Sequence, residues 1–219
     1  MTTPSAEGAD DSAAYFATRL APDPARTEVW RHLAAYLQQW IPADAAVLDL
    51  AAGYADFSAN VHARRRVALD MNPELPSLVA PGIEAVVGDA TDLGRFADGE
   101  FDAVFASNFL EHLEREAIDR CLAEIRRVLR PGGRLLLVQP NFRLAPGAYF
   151  DDYTHRTIFT DVSLADLLVA RGFTIVRVEP RFLPLTLKSR LKSGHRLVPL
   201  YLRLPYRPLA GQMLHVAER

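Results

Sequence analysis

Three acidic residues, each closing a short apolar run, offer the clearest handle on chemistry in this chain. Asp49 lies within Val47-Leu48-Asp49-Leu50, Asp70 ends Val67-Ala68-Leu69-Asp70, and Asp89 follows Glu84-Ala85-Val86-Val87-Gly88. Apolar runs this short read as buried strands, so each run carries a carboxylate to the region of its C-terminal end. In an open α/β sheet, ligands bind outside the carboxyl ends of the strands, and an acid ending the second strand is placed for ribose hydroxyls. The first run passes into Ala51-Ala52-Gly53-Tyr54-Ala55-Asp56, a turn of small residues that opens a helix. Small residues admit a ligand close to the backbone, and a helix start offers unpaired N–H groups. The turn suits a nucleotide.

A pyrophosphate-bearing dinucleotide asks for G-x-G-x-x-G in such a turn. Here the three positions hold Ala51, Gly53 and Asp56. An NAD-linked oxidoreductase is thus an alternative that lacks two of its three glycines. If Ala51 or Ala55 must adopt φ > 0, the methyl group carries a steric cost that glycine avoids.

The three strand-end acids are followed by Ser107-Asn108-Phe109-Leu110-Glu111-His112-Leu113, and then by Arg130-Pro131-Gly132-Gly133 ahead of an apolar run. Together they resemble the class I S-adenosylmethionine (SAM)-dependent methyltransferases of small-molecule or glycan type, over roughly residues 45–180. That resemblance implies an α/β fold: a doubly wound, seven-stranded, mostly parallel sheet with an antiparallel last strand and helices on both faces. It implies SAM as cofactor and S-adenosylhomocysteine as product. Asp49, Ala51 and Gly53 then shape the methionine side of the pocket. Asp70 holds the ribose, Met71, Asp89 and Ala90 serve the adenine, and Asn108, Phe109 and Leu110 line the sulfonium. The family's D-x-G-x-G-x-G is degraded here, with alanine at 51 and 55.

Methyl transfer from a sulfonium is an in-line displacement, whose main demand is the placement of the acceptor. A hydroxyl acceptor also needs a base. His112, just past the fourth strand, is one candidate. His155, within Asp151-Asp152-Tyr153-Thr154-His155-Arg156, is the other, with Asp151 or Asp152 to orient it and raise its pKa. These contiguous residues have no recognised metal-ligand spacing, so no metal is expected. Glu111 either accepts from the cofactor's amino group or caps a helix, and Asn141 is placed to donate to an acceptor oxygen. The acceptor expected is a hydroxyl of a sugar, glycan or secondary metabolite, ahead of a nitrogen. A member that binds SAM without transferring methyl is a further alternative.

The elements that must position these residues follow from periodicity and breakers. Residues 1–22 read as a flexible leader, in which Tyr15, Phe16 and Arg19 either pack or fold over the cofactor. Asp23-Pro24 starts a helix with Val29, Leu33, Tyr36, Leu37 and Trp40 on one face. A short helix spans Phe57 to His62, and three prolines leave little or no helix over residues 73–83. Ile118, Cys121, Leu122, Ile125 and Leu129 mark an amphipathic helix stopped by the Pro-Gly-Gly turn, and strand five follows from Arg134. Residues 139–160 form a long connection, and loops of that length are usually functional or disordered. Ser163 with Asp166 resembles a capping box. Strand six covers Phe173 to Val178, and the last strand Met213 to Ala217. Residues 23–219 thus form one domain with a basic insertion at 183–211.

Composition agrees with one soluble domain: 219 residues, 49% hydrophobic and 24% charged. The single cysteine, Cys121, excludes an internal disulfide and reads as a small core residue. No signal peptide or membrane span is visible, so a cytoplasmic location is expected. The net charge of −2 conceals a split, because residues 181–219 hold 8 Lys/Arg against 1 Asp/Glu. Within the insertion, Lys188, Arg190, Lys192, Arg196, Arg203 and Arg207 face an anionic acceptor such as a sugar phosphate, an anionic membrane surface, or the acidic body of the protein itself. Few aromatics accompany them, which disfavours nucleic acid.

Overall fold

The computed structural model describes residues 24–185 and 194–219. The leader, Asp23, Lys188, Arg190 and Lys192 lie outside the described residues.

Seven strands form one sheet: β1 (Ala46–Leu50), β2 (Arg65–Asp70), β3 (Glu84–Val87), β4 (Phe101–Ser107), β5 (Leu129–Pro140), β6 (Thr174–Pro184) and β7 (Ala210–Glu218). Their order is β3-β2-β1-β4-β5-β7-β6. The strands pair in parallel from β3 through β5, while β7 runs antiparallel to both β5 and β6. The chain winds outward from β1 in one direction and then returns to place β4 on its other side. That reversal opens a crevice at the carboxyl ends of β1 and β4.

Near-continuous apolar runs in the inner strands bury both faces, as a parallel sheet requires. Leu48, Leu50, Val104, Ala106, Leu135 and Leu137 pack on one side with Ile118, Cys121, Leu122 and Ile125 of the Arg115–Val128 helix. Val47, Ala103, Phe105, Leu136 and Val138 pack on the other with Val29, Trp30, Leu33 and Leu37 of the Pro24–Leu37 helix. Cys121 is fully buried, and burial pushes its thiol well above the usual range. Native protein is therefore expected to leave a disulfide-exchange reagent unreacted until denaturant is added, when one thiol per chain should titrate.

Several boundaries differ from the sequence expectation. The Arg115–Val128 helix ends before the Pro-Gly-Gly turn, and extended backbone begins at Leu129, which pairs with Phe101 ahead of a register shift. A Cβ on Gly133 would lie 2.8 Å from the Arg130 carbonyl oxygen, so this turn needs glycine for close approach. In the capping box of the Asp161–Ala170 helix, Thr160 is the N-cap and Ser163 the third residue, its hydroxyl accepting from the Thr160 N–H. The short helix after β1 is Asp56–Asn60, and a single turn, Leu75–Leu78, occupies the proline-rich crossover. β6 and β7 extend to Pro184 and from Ala210, so the excursion between them is shorter than 183–211 and contains a helix at Val198–Arg203.

Candidate functional site

The crevice is a cavity of about 530 Å³ at the carboxyl ends of β1, β2 and β4. Asp49, Ala51, Gly53, Asp70, Met71, Asp89, Ala90, Asn108 and Phe109 line it, as does His112. Leu110 does not. Its side chain is buried in the core cluster that includes Ile118 and Phe159, because the turn after β4 directs Asn108 and Phe109 to the cavity instead.

The turn after β1 is held by the acid that ends β2. Asp70 accepts from the Gly53 N–H at 2.8 Å and, through its other oxygen, from the Asn72 N–H at 2.9 Å. A carboxylate offers about four lone-pair sites, so acceptor capacity remains for a ligand hydroxyl. Asp49 is buried, accepting from the Ser58 N–H at 3.2 Å and the Ser58 hydroxyl at 2.8 Å. Burial, with Asp70 and Asp56 nearby, outweighs those donors and pushes its pKa up to about 7. Burial likewise raises Asp70. Asp89 is exposed at the rim, where one oxygen accepts from the Thr91 N–H and hydroxyl.

Ala51, Gly53 and Ala55 all have positive φ, at 55°, 57° and 55°. Both alanines thus occupy the left-handed region that the sequence flagged as costly there, at about 1–2 kcal/mol each. Ala51→Gly is expected to relieve part of that strain, less the extra entropy of an unfolded glycine. A net gain of about 0.5–1 kcal/mol should appear as a rise of a few degrees in calorimetric Tm. Asn108 shares the conformation, with φ of 48° and its N–H on the Val138 carbonyl, a position where asparagine is tolerated.

The long connection after β5 closes one end of the cavity. The N–H groups of Arg156 and Thr157 both donate to the Glu111 carbonyl, at 2.8 and 3.0 Å, and the Thr157 hydroxyl donates to that of Leu113. These bonds bring Tyr153, Thr154 and Arg156 to the cavity wall. His155, in contrast, turns away from the cavity and packs behind His112, ring centroids 5.0 Å apart, and against Tyr149 at 4.7 Å. Asp151 lies exposed on a turn outside the cavity lining. An acid of this turn also reaches the other histidine. Asp152 accepts from the Thr154 hydroxyl at 2.5 Å, and that hydroxyl oxygen lies 2.9 Å from His112 Nδ1. The single hydroxyl proton goes to Asp152, so the hydroxyl oxygen is left to accept from the Nδ1–H of His112. Burial, and then His155, lowers the pKa of His112, which favours the neutral form.

Sequence reasoning did not assign Arg26, Trp30, Asp56, Phe57, Phe105, Tyr153, Thr154 or Arg156 to the site. The Asp-x-Thr spacing of Asp152 and Thr154 was a readable turn signal for one of them. Asn141, expected to face the acceptor, is buried instead, donating to Asp161 and to the Pro180 carbonyl. Glu111 is also fully buried, and burial pushes its carboxyl up to about 8.

Four carboxylates on the wall, Asp49, Asp56, Asp70 and Asp89, face two arginines, and Arg26 is paired with Asp56 at 2.8 Å. This electrostatics fits a cationic sulfonium and ammonium far better than a pyrophosphate. Asp49 gives it a testable sign. Its folded pKa, about 7, lies above the ordinary 3.8, so the free protein favours the protonated acid below 7. A cationic ligand favours the carboxylate. SAM affinity is therefore expected to rise by up to about tenfold per pH unit toward 7 and then level off, and Asp49→Asn should flatten the profile in calorimetry across that range.

Residues 48–137 match the family described as methyltransferase domain. The chain is 35% identical over 173 residues to malonyl-[acyl-carrier protein] O-methyltransferase of Methylococcus capsulatus, covering 71% of this chain and 62% of that protein. It is 36% identical over 124 residues to demethylmenaquinone methyltransferase of Renibacterium salmoninarum, covering 52% and 48%. The chain thus spans only about half to 62% of the length of these curated relatives. Among solved structures, the fold matches the Burkholderia thailandensis 1,6-didemethyltoxoflavin-N1-methyltransferase with bound S-adenosylhomocysteine, with a TM-score of 0.65, 22% identity, and coverage of 100% of this chain and 91% of that one. It matches a SAM-dependent methyltransferase from Archaeoglobus fulgidus with a TM-score of 0.62, 21% identity, and coverage of 86% and 94%. The strand order, the acid-lined crevice at the β1–β4 reversal and the matched domain at its centre are those of the Rossmann-like methyltransferase fold.

Proposed function

We propose that this chain transfers a methyl group from SAM to a hydroxyl of a small molecule in the cytoplasm. The observation that carries this reading is one cavity with acids at one end and, at the other, an imidazole tied through Nδ1 to Thr154 and, through it, to Asp152. SAM supplies an electrophilic methyl group on a sulfonium. Asp70 and the Gly53 turn hold the ribose, Met71, Asp89 and Ala90 flank the adenine, and Asp49 favours the cationic methionine end. Asn108 and Phe109 shape the wall beside the methyl. His112, on the cavity wall, activates the acceptor, while Thr154 and Asp152 position it. Arg156 on the same wall suits an acceptor that carries a negative group. The relatives named above are methyltransferases for an acyl-carrier-bound acid, a quinone precursor and a heterocycle nitrogen. A sugar, glycan or secondary-metabolite hydroxyl extends that range. Among the described residues, no helix is long and apolar enough to cross a membrane.

The test is calorimetric. Wild-type protein should bind SAM and S-adenosylhomocysteine but not NAD. Asp70→Ala should weaken both about 10–100-fold, the worth of hydrogen bonds to a charged acceptor. Unchanged affinity in that variant would remove Asp70 from the ribose site. Label from methyl-labelled SAM, followed across a panel of hydroxyl acceptors, then identifies the substrate class.

A further inference from the structure

Behind the acceptor end, two chain segments bring three metal-ligating side chains together. Ligand atoms of Glu111, His112 and His155 all lie within 4.8 Å of one another. The same Glu111 oxygen, Oε1, is 3.9 Å from Nε2 of His112 and 3.9 Å from Nε2 of His155. In a tetrahedral site, two ligands at about 2.1 Å from the ion stand about 3.4 Å apart. Each carboxylate–imidazole spacing closes by about 0.5 Å, and the imidazole pair by about 1.4 Å or less, to reach that geometry.

The state of Glu111 points the same way. Its side chain is fully buried, and neither carboxylate oxygen has a hydrogen-bond donor among the described residues. Buried carboxylates are ordinarily hydrogen-bonded, paired or bound to a metal. Nε2 of His112 is the ring nitrogen nearer this carboxylate, while its Nδ1 lies 2.9 Å from the Thr154 hydroxyl, which donates to Asp152. An imidazole oriented from its far nitrogen by an oxygen that a carboxylate supports is the usual holding arrangement for a metal ligand. The Arg156 and Thr157 N–H bonds to the Glu111 carbonyl fix His155 to the same turn, so the three donors are pre-organised.

We propose that Glu111, His112 and His155 form a binding site for a divalent transition-metal ion of the zinc class. One carboxylate and two imidazoles are a common donor set for such ions and leave coordination positions open. His112 lines the cavity, so the open side meets the acceptor. The ion's part in catalysis rests on the methyl-transfer reading: it takes over the task of His112, drawing the acceptor oxygen in and lowering its proton affinity. Binding of the ion does not rest on that reading.

Metal-free protein, prepared by dialysis against a chelator, is titrated with Zn²⁺ by calorimetry and with Co²⁺ by visible absorption. The expected result is one ion per chain, with ligand-field bands of a low-coordinate nitrogen/oxygen site. Glu111→Gln should weaken binding on the order of 100-fold or more, and Thr154→Ala, which only orients His112, about 10–100-fold. S-adenosylhomocysteine binding, measured on each variant, checks that it folds. No uptake by the wild type, or uptake that neither substitution changes, overturns the site. Zn²⁺ binding without S-adenosylhomocysteine binding in the wild type would sink the methyltransferase reading and leave the metal site standing.

Discussion

Arg207→Leu is expected to destabilise the protein by about 3–5 kcal/mol, the cost typical of removing one partner from a buried ion pair. Arg207 is 7% exposed and Glu179 6%, and the two form a direct ion pair. The guanidinium also donates to the carbonyls of Arg181 and Leu202, at 3.2 and 2.7 Å, and to the Tyr36 hydroxyl at 3.2 Å. Tyr36 in turn donates to the other Glu179 oxygen at 2.7 Å. One residue thereby ties the end of the Val198–Arg203 helix to β6 and to the Pro24–Leu37 helix. Burial works to raise the Glu179 pKa, but the Tyr36 and Arg207 bonds override it and hold the carboxyl below its ordinary value. The stability this contributes is present above the unfolded pKa, ordinarily about 4.5, and is lost as pH falls through the folded value. In Arg207→Leu the sign reverses, because burial then dominates, so the deficit in urea unfolding should narrow at acid pH. A double variant with Glu179→Leu should recover much of the loss. A single substitution costing under about 1 kcal/mol would place Arg207 with ordinary surface ion pairs.

That pair also shows where the sequence stopped being legible. A charge count located a basic C-terminal segment and left three partners open for it. Arg207 turns to the acidic body of the protein, while Arg196 and Arg203 are exposed, and nothing local distinguishes them. The choice is made by Glu179, 28 residues away in the chain. The acids at 49, 70 and 89 were readable because each lies in or just after an apolar run that reads as a strand, so backbone geometry carries them to one edge of the sheet. The turn at Ala51 and Ala55 was readable as a conditional strain, which the positive φ values make real. The Glu111–His112 stretch was not readable in the same way. It lies on a single 3₁₀ turn, Leu110–His112, too short for periodicity to assign an inside and an outside. The placement of His155 depends on two N–H groups finding one carbonyl 45 residues earlier, a long-range bond with no sequence signature. Proximity in the motif Asp151-Asp152-Tyr153-Thr154-His155 suggested an acid–imidazole pair. The turn also hands Asp152 to a threonine, and the threonine to the other histidine.

His112→Asn is expected to lower kcat about 10²–10⁴-fold, the range typical of a general base, with SAM affinity unchanged within about twofold. The two halves of that expectation test different geometry. The acids and glycine turn proposed to serve the cofactor belong to β1, β2 and the loops after β1 to β3, whereas His112 follows β4 and meets the cavity from the side proposed for the acceptor. Removing it therefore leaves the cofactor wall intact and strips acceptor activation. Metal-free, His112 is the base; metal-loaded, it holds the ion that takes over that task, so the direction of the effect is the same in both states. Thr154→Val is the companion variant, because valine keeps the volume and removes the hydroxyl that fixes the tautomer. With Nδ1–H unheld, the ring can flip or change tautomer, and the loss should fall in kcat, with little change in the acceptor KM. A purely structural role for Thr154 would instead lower Tm and leave kcat per folded molecule unchanged. If His112→Asn retained wild-type kcat, acceptor placement alone would account for the rate. The Asp152–Thr154–His112 chain would then be a device for holding the loop.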